Sequence, residues 1–307
     1  MRVDPFYVSN LVSALDQSQV NQQQVSQELA SGVRVNSLSQ DPIAAGQNVR
    51  LLNQMQTDDS FTQSSTMLQG QLQVADSALG SVVNELTHAI SLATSGNVGI
   101  LNAGDLKSIA NQLSGIRSEV LSLANTSYLG NYIFGGTNVA NAPFTLSNAT
   151  TPATVTYNGD STVNSLTTPN GQTIPLNVPG QSIFIGGANA TGSPTQGSVF
   201  DALNNLVAHF ASGDPTGVTV QDTQALNAAL SYLSQHRVTL DNSIAQLGAA
   251  STAVMNEKMQ LTAAQTNLMQ ADIPTVATKL AQAQTQQTAL INVISQMGSG
   301  SLFDKLR

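Results

Sequence analysis

The stretch Leu68-Gln-Gly-Gln-Leu72-Gln-Val-Ala75-Asp-Ser-Ala-Leu79-Gly-Ser-Val82-Val-Asn-Glu-Leu86-Thr-His-Ala89-Ile-Ser-Leu-Ala93 decides the fold. Its apolar residues Leu68, Leu72, Ala75, Leu79, Val82, Leu86, Ala89 and Ala93 alternate steps of four and three. That is the narrow seam of a coiled coil or a long bundle helix, not the broad stripe of a compact globular helix. After a Gly-rich break at Gly96–Gly104 the rhythm resumes through Leu106, Ile109, Leu113, Ile116, Val120 and Leu123. Far downstream Leu233, Leu240, Ile244, Leu247, Val254, Leu261 and Leu268 keep it, with Arg237, Ser251, Lys258 and Gln265 between them. A helix over Asp222–Ala271 is on the order of 75 Å long at about 1.5 Å per residue. These lengths predict a rod.

Proline marks the other boundary. None occurs from Ile43 to Ala142 or from Thr216 to Ile273, and seven of the ten lie between Pro143 and Pro215. Helix interiors exclude proline, so the flanks read as helix and the middle does not. Thr154-Val-Thr-Tyr157 before Asn158-Gly159, then Asn170-Gly171, Thr173-Ile-Pro-Leu-Asn-Val178 and Ser182-Ile-Phe-Ile185, predict a small antiparallel insert with hairpin turns at the Asn-Gly pairs. Asp41-Pro42 and Asp272-Ile-Pro274 each set a capping carboxylate ahead of a helix start.

The chain ends form a matched pair. Val8, Leu11, Leu15, Ser18, Gln22, Val25 and Leu29 step three and four, as do Ile273, Val276, Leu280, Ala283, Gln287, Leu290, Ile294 and Met297. A glutamine in each seam either fixes register or marks a weak helix. Short isolated helices are marginal in water, so these ends are expected to fold against each other or against neighbouring subunits. Val8, Leu11, Leu15, Gln22, Val25, Leu29, Ile273, Val276, Leu280, Gln287, Leu290, Ile294 and Met297 are the candidate interface. The fold class expected is mainly α: a long antiparallel coiled-coil-like helical bundle with a small β-rich insert. Its parts are terminal segments at 1–40 and 272–307, a helical rod at 41–134 and 200–271, and the insert at 135–199.

Composition excludes much chemistry. The chain of 307 residues has no cysteine, which removes disulfides, iron–sulfur clusters and thiolate zinc sites. Three histidines leave little for an imidazole metal cluster, and a net charge of -8 argues against nucleic acid and anionic membranes as partners. Charged residues are 9%, against about 25% ordinarily. Ser, Thr, Asn and Gln, 118 residues in all, fill the missing surface. The Gly-rich stretches 130–136 and 186–192 lack the Lys-Ser/Thr ending of a phosphate loop. Gly180-Gln-Ser182 lacks the final glycine of a nucleophile elbow. His88, His209 and His236 have no carboxylate four residues before or after them, and Asp58-Asp59 read as solvated surface. Phe6, Tyr7, Leu302 and Phe303, near the ends, suit local packing or a subunit contact. No catalytic, cofactor-binding or metal-binding residue is assigned, and the chain is not read as an enzyme.

Gln27-Glu-Leu-Ala-Ser31-Gly-Val-Arg-Val-Asn36, followed by Asp41-Pro-Ile-Ala-Ala45, resembles the N-terminal signature of the flagellin superfamily. Tyr132-Ile-Phe-Gly-Gly-Thr137, Val155-Thr-Tyr-Asn-Gly-Asp160 and Val178-Pro-Gly-Gln-Ser-Ile-Phe184 resemble its junction-protein branch. Ile273-Pro-Thr-Val-Ala-Thr-Lys-Leu280 and Ser301-Leu-Phe-Asp-Lys-Leu306 are similar to the family's terminal helix. Two features depart from the pattern: Gln40-Asp41 stands where the family usually has two acidic residues, and Met297-Gly-Ser-Gly300 would loosen the last turn. The resemblance implies a structural subunit between hook and filament, exported unfolded without a cleaved signal. Its partners would be a hook-side junction protein, flagellin, its own copies in a ring and an export chaperone. A filament-forming flagellin and a cytosolic coiled-coil scaffold are the alternatives.

Overall fold

A computed structural model describes residues 7–96, 101–186, 198–213 and 220–299. The described residues form six α-helices: α1 (Tyr7–Ser31), α2 (Pro42–Gly96), α3 (Ala103–Ala124), α4 (Val199–Ser212), α5 (Val220–Met269) and α6 (Ile273–Ser299). Between α3 and α4 the described residues form six short strands: β1 (Ser127–Tyr128), β2 (Asn131–Tyr132), β3 (Phe144–Ser147), β4 (Thr154–Tyr157), β5 (Ser165–Thr167) and β6 (Thr173–Pro175). They pair antiparallel as β1–β2, β3–β4 and β5–β6, giving small two-stranded sheets. The mainly helical class with a small β insert is therefore the observed one. The residues cluster into two compact units, Asp58–Met255 and Met1–Thr57 with Asn256–Arg307.

In the unit Asp58–Met255, the heptad stripe of α2 makes the core. Leu72, Ala75, Leu79, Val82, Leu86, Ala89 and Ala93 are buried, as are Leu106, Leu113, Ile116 and Val120 of α3. Leu226, Leu233, Leu240 and Leu247 of α5 join them. The pair α2–α5 runs antiparallel, because Arg237 donates to Asp76 at 2.6 Å while Gly248 faces Gln69 two turns earlier on α2. Asn102 and Asp105 close a reciprocal capping box at the start of α3. Phe210 of α4 lies against Gly96, so closely that any side chain there would run into its ring.

Four expectations need correcting. Asp58 is not solvated: it is fully buried, with Phe61 and Ser65, because steps of three and four carry the α2 stripe back through all three positions. On α5 the expected Ile244 packs against the core only half-buried, and its neighbour Ser243 is buried more deeply. Ser182–Ile185 is no strand but part of a single π-helical turn, Gln181–Ile185, which buries the consecutive residues Ile183 and Phe184. Asn158-Gly159 makes no hairpin turn. The partner of β4 is the upstream β3, and the Asn158 N–H donates to the Pro143 carbonyl at 2.8 Å, at the end of that ladder. Asn170-Gly171 does sit in the β5–β6 turn, with Gly171 at φ +86°.

Candidate assembly surfaces

In the unit of Met1–Thr57 and Asn256–Arg307, α1 packs against α6. Their junction is a strap. Gly32, left-handed at φ +67°, ends α1, and its carbonyl accepts from the Ala271 N–H at 2.9 Å. The Arg34 N–H donates to the Met269 carbonyl at 2.7 Å, and Val33 bridges Gln270 antiparallel. The end of α1 thereby meets the start of α6, so the two helices run in opposite directions. Arg34 also ties the loop to α5 and α2, through the Leu268 carbonyl at 3.1 Å and the Asp41 carboxylate at 3.2 Å. Gln40 braces this loop: its Oε1 accepts from the backbone N–H groups of Asn36 and Ser37 at 2.7 and 3.3 Å. Asp41 caps α2 through the Ala44 N–H at 2.9 Å. That hydrogen bond, then Arg34, hold its carboxyl below the ordinary range. Asp272 caps α6 by accepting from the Thr275 backbone N–H at 3.5 Å, and its other oxygen accepts from the Thr275 hydroxyl at 2.7 Å.

The two seams are only half covered. Leu11, Leu15, Gln22, Val25 and Leu29 are half-buried and Ser18 is buried; on α6, Val276 and Ala283 are buried while Leu280, Gln287, Leu290 and Ile294 are half-buried. Ile273 turns outward, 44% exposed. The side chains of Val8 and Met297, and of the terminal Tyr7, lie outside the described residues, as do Phe6, Leu302 and Phe303. Sequence reasoning missed a second group. Val12 and Val20 of α1, Ile43, Val49 and Leu52 of α2, Met259 of α5, and Ile291 and Val293 of α6 are all exposed. Their signal was present: each is a large apolar residue off a seam.

A second feature gathers three of the recognised motifs. Phe134, Phe144, Tyr157, Phe184 and Phe200 form an aromatic knot with ring centroids 5.0–5.8 Å apart. The Phe134 carbonyl accepts from the Gly180 N–H at 2.9 Å and lies 3.0 Å from the Tyr157 hydroxyl. Gly180 has no space for a side chain between that carbonyl and the Phe144 ring. Gly136, at φ +70°, sits under Asp160. Asp160 accepts from the Thr137 hydroxyl and N–H and from the Thr162 N–H, which hold its carboxyl far below the usual range. Burial pushes the Tyr157 phenol up to about 12. Tyr-Ile-Phe-Gly-Gly-Thr, Val-Thr-Tyr-Asn-Gly-Asp and the 178–184 segment are thus one construction, which fastens the insert to the start of α4.

The histidines divide. His209 does have a carboxylate partner, Asp222 at 3.0 Å, thirteen residues on rather than one turn away. His236 lies edge-on to Tyr232, and burial lowers its pKa. Among the described residues no three metal-ligating side chains converge, and no helix is long and apolar enough to cross a membrane. Ser182 spends its hydroxyl on the Pro179 carbonyl at 2.8 Å.

Residues 7–139 match the bacterial flagellin N-terminal helical region. The chain is 31% identical over 139 residues to flagellar hook-associated protein 3 of Salmonella typhimurium, a match covering 45% of this chain and 44% of that protein. It is also 31% identical over 128 residues to the protein of the same name from Escherichia coli, covering 41% and 40%. The match thus spans less than half the length of these curated relatives. The fold is also that of flagellar hook associated protein-3 from Legionella pneumophila, with a TM-score of 0.61 at 14% identity over 71% of this chain and 98% of that one.

Proposed function

We propose that the chain is a structural subunit of the bacterial flagellum that joins hook to filament. It is exported unfolded with the help of a chaperone, and it adds to the growing axis as a ring of its own copies. One side then meets a hook-side junction protein and the other meets flagellin. The observation that carries this is the terminal pair α1–α6: both seams are left half-covered, and large apolar residues off the seams stand in water. Such a pair gains stability when neighbours cover it. The similarity of residues 7–139 to the flagellin N-terminal region supports flagellar neighbours, and both curated relatives named above favour the junction over the filament.

On this reading the aromatic knot and the long helical pair form a preassembled body, and the candidate interface of α1 and α6 completes its packing on assembly. Deletion of the protein tests it. Hooks should form without filaments while intact flagellin escapes to the medium. Filaments that stay attached would overturn the junction role.

A further inference from the structure

The net charge of -8 is not spread evenly along the chain. Segments 1–57 and 256–307 hold seven basic and seven acidic residues, so the whole excess falls on 58–255. Within the neutral unit several ions are already engaged. Arg34 pairs with Asp41, Asp272 caps α6, and Glu28 accepts from the Gln24 amide at 3.3 Å. Arg50 of α2 and Asp16 of α1 differ from these. Both are exposed, and neither side chain has an ion-pair or hydrogen-bonding partner among the described residues.

Each of the two stands in apolar surroundings. Arg50 lines a crevice of about 370 Å³ between α2 and α5, together with Gln47, Leu51, Ala264 and Leu268. Ile43, seven residues earlier and so on the same face of α2, is 75% exposed. The apolar surface therefore runs past the crevice along the line of the cation. Asp16 lies between Val12 and Val20, four residues away on either side and both exposed. Among the described residues no other acid is flanked in this way. The α1 seam turns toward α6, which leaves the Val12–Asp16–Val20 face uncovered.

We propose that the Val12–Asp16–Val20 face of α1 in one copy lies over the Arg50 crevice of a second copy, with the Asp16 carboxylate on the guanidinium. The proposal deepens the assembly reading above and rests on it. Charge sign, surroundings and charge distribution select that occupant. The crevice offers one unpaired cation, and this face of α1 carries one unpaired anion. Stripping water from either ion is costly unless its opposite arrives at the same time, and the valines, Ile43, Leu51 and Leu268 gain from the same burial. Copies repel one another through 58–255, whereas the neutral segments that carry Asp16 and Arg50 meet without that repulsion. A guanidinium takes a carboxylate through two parallel N–H donors, which sets register as well as sign. The two patches are different parts of one chain, so the contact is heterologous and passes from copy to copy as a ring or a helix.

Charge reversal tests this, with full-length variants returned to cells that lack the protein. Arg50→Asp and Asp16→Arg should each lower the fraction of filament-bearing cells about tenfold or more, because each sets like charges face to face. The two changes move the net charge in opposite directions, so a loss shared by both has no general electrostatic cause. The double variant, back at -8, should recover to within about twofold of the unaltered chain. Both side chains are exposed and unpaired in the single copy, so Tm should hold in all three variants. Because the chain has no cysteine, Asp16→Cys and Arg50→Cys chains made in one cell give a second readout: oxidised appendages should yield a mixed 16–50 dimer. Filaments retained with either single reversal, or no mixed dimer, overturn the contact and leave the assembly reading standing. Loss with both singles and no recovery in the double assigns the two ions to other proteins and overturns a second copy as the occupant. A chain absent from the appendages refutes the assembly reading and takes the contact with it.

Discussion

Phe144→Ala should be among the most damaging single truncations outside the long seams. Phe144 is buried to 1% exposure and meets three rings, Tyr157 at 5.0 Å, Phe184 at 5.2 Å and Phe200 at 5.3 Å. Truncating a buried phenylalanine costs about 3–5 kcal/mol. The loss here belongs at the upper end, since each aromatic pair is worth about 0.5–1.5 kcal/mol beyond its area. Collapse around the gap is opposed from the backbone. The Phe144 N–H donates to Asn125 Oδ1 at 2.9 Å and its carbonyl accepts from Asn125 Nδ2 at 2.9 Å, so β3 stays pinned to the end of α3. A loss of about 5 kcal/mol against a whole-domain stability of about 5–15 kcal/mol leaves this body marginal. Phe144→Leu, which keeps most of the volume, should cost well under half as much. Urea unfolding followed by circular dichroism gives the magnitude, and native-state hydrogen exchange gives its place. Protection should fall in β3, β4, the π-helical turn and the first turn of α4, and hold in the middle of α2. A cost below about 1 kcal/mol, with β3 and β4 as protected as before, would refute the knot as the fastening of the insert.

Three further outcomes follow from the same geometry. Leu15→Asp or Leu290→Asp sets a charge in a half-covered seam; each should cost about 1–3 kcal/mol in the isolated chain and abolish assembly, with the unit Asp58–Met255 unchanged by circular dichroism. Normal motility with either variant would count against the seam. Limited proteolysis of the monomer should cut within 1–40 and 272–307 before the rest, because half-buried helices open locally at low cost; equal resistance throughout would contradict this. Tyr157 gives a pH signature. Its phenol is raised to about 12 by burial, above its unfolded value of about 10, so its contribution is full below about pH 10 and is lost as pH rises through about 12. Tyr157→Phe should remove that alkaline step from a denaturation series and cost about 1 kcal/mol at neutral pH; an unaltered alkaline profile would refute it.

The helices were legible because a period of three and four is written in residue type wherever Leu, Val or Ala occupies the seam. Legibility failed where the same period ran through polar residues. Asp58 and Ser65 continue the Leu72–Leu79 stripe backward, yet an adjacent Asp58-Asp59 reads as surface unless the stripe is extended through it. Ser243 hid for the same reason. The insert was harder, since its turns are decided by contacts distant in sequence. Asn158 spends its N–H on Pro143 and its amide on Thr145, and Asn138 donates to its carbonyl at 3.1 Å, which converts a hairpin signal into a cross-brace. The pairing of His209 with Asp222 spans two helices and has no local signature. Of the candidate interface, Leu11, Leu15, Gln22, Val25, Leu29, Val276, Leu280, Gln287, Leu290 and Ile294 lie buried or half-buried and Ile273 faces outward, while the outward apolar residues required knowing which way each helix faces.

That second face bears on what the terminal helices are for. Across α1 and α6 the charged side chains are Asp16, Glu28 and Lys279 alone. A helix face meant to stay in water ordinarily carries Lys, Glu, Arg and Asp, and here the positions off the seam hold Gln, Thr, Ser, Ala and Val instead. On α6 the exposed hydroxyls of Thr278, Thr285 and Thr288 each donate to a carbonyl one turn back, at 2.9 Å. A donor already satisfied within its own helix loses little when water is removed, whereas a buried lysine or glutamate would need a partner. The seam drives α1 onto α6, and the opposite faces are built so that dehydrating them costs little. Both faces of the pair are therefore suited to burial, and a monomer can bury only one. This asymmetry, more than the periodicity of either helix, supports placing α1 and α6 inside an assembly.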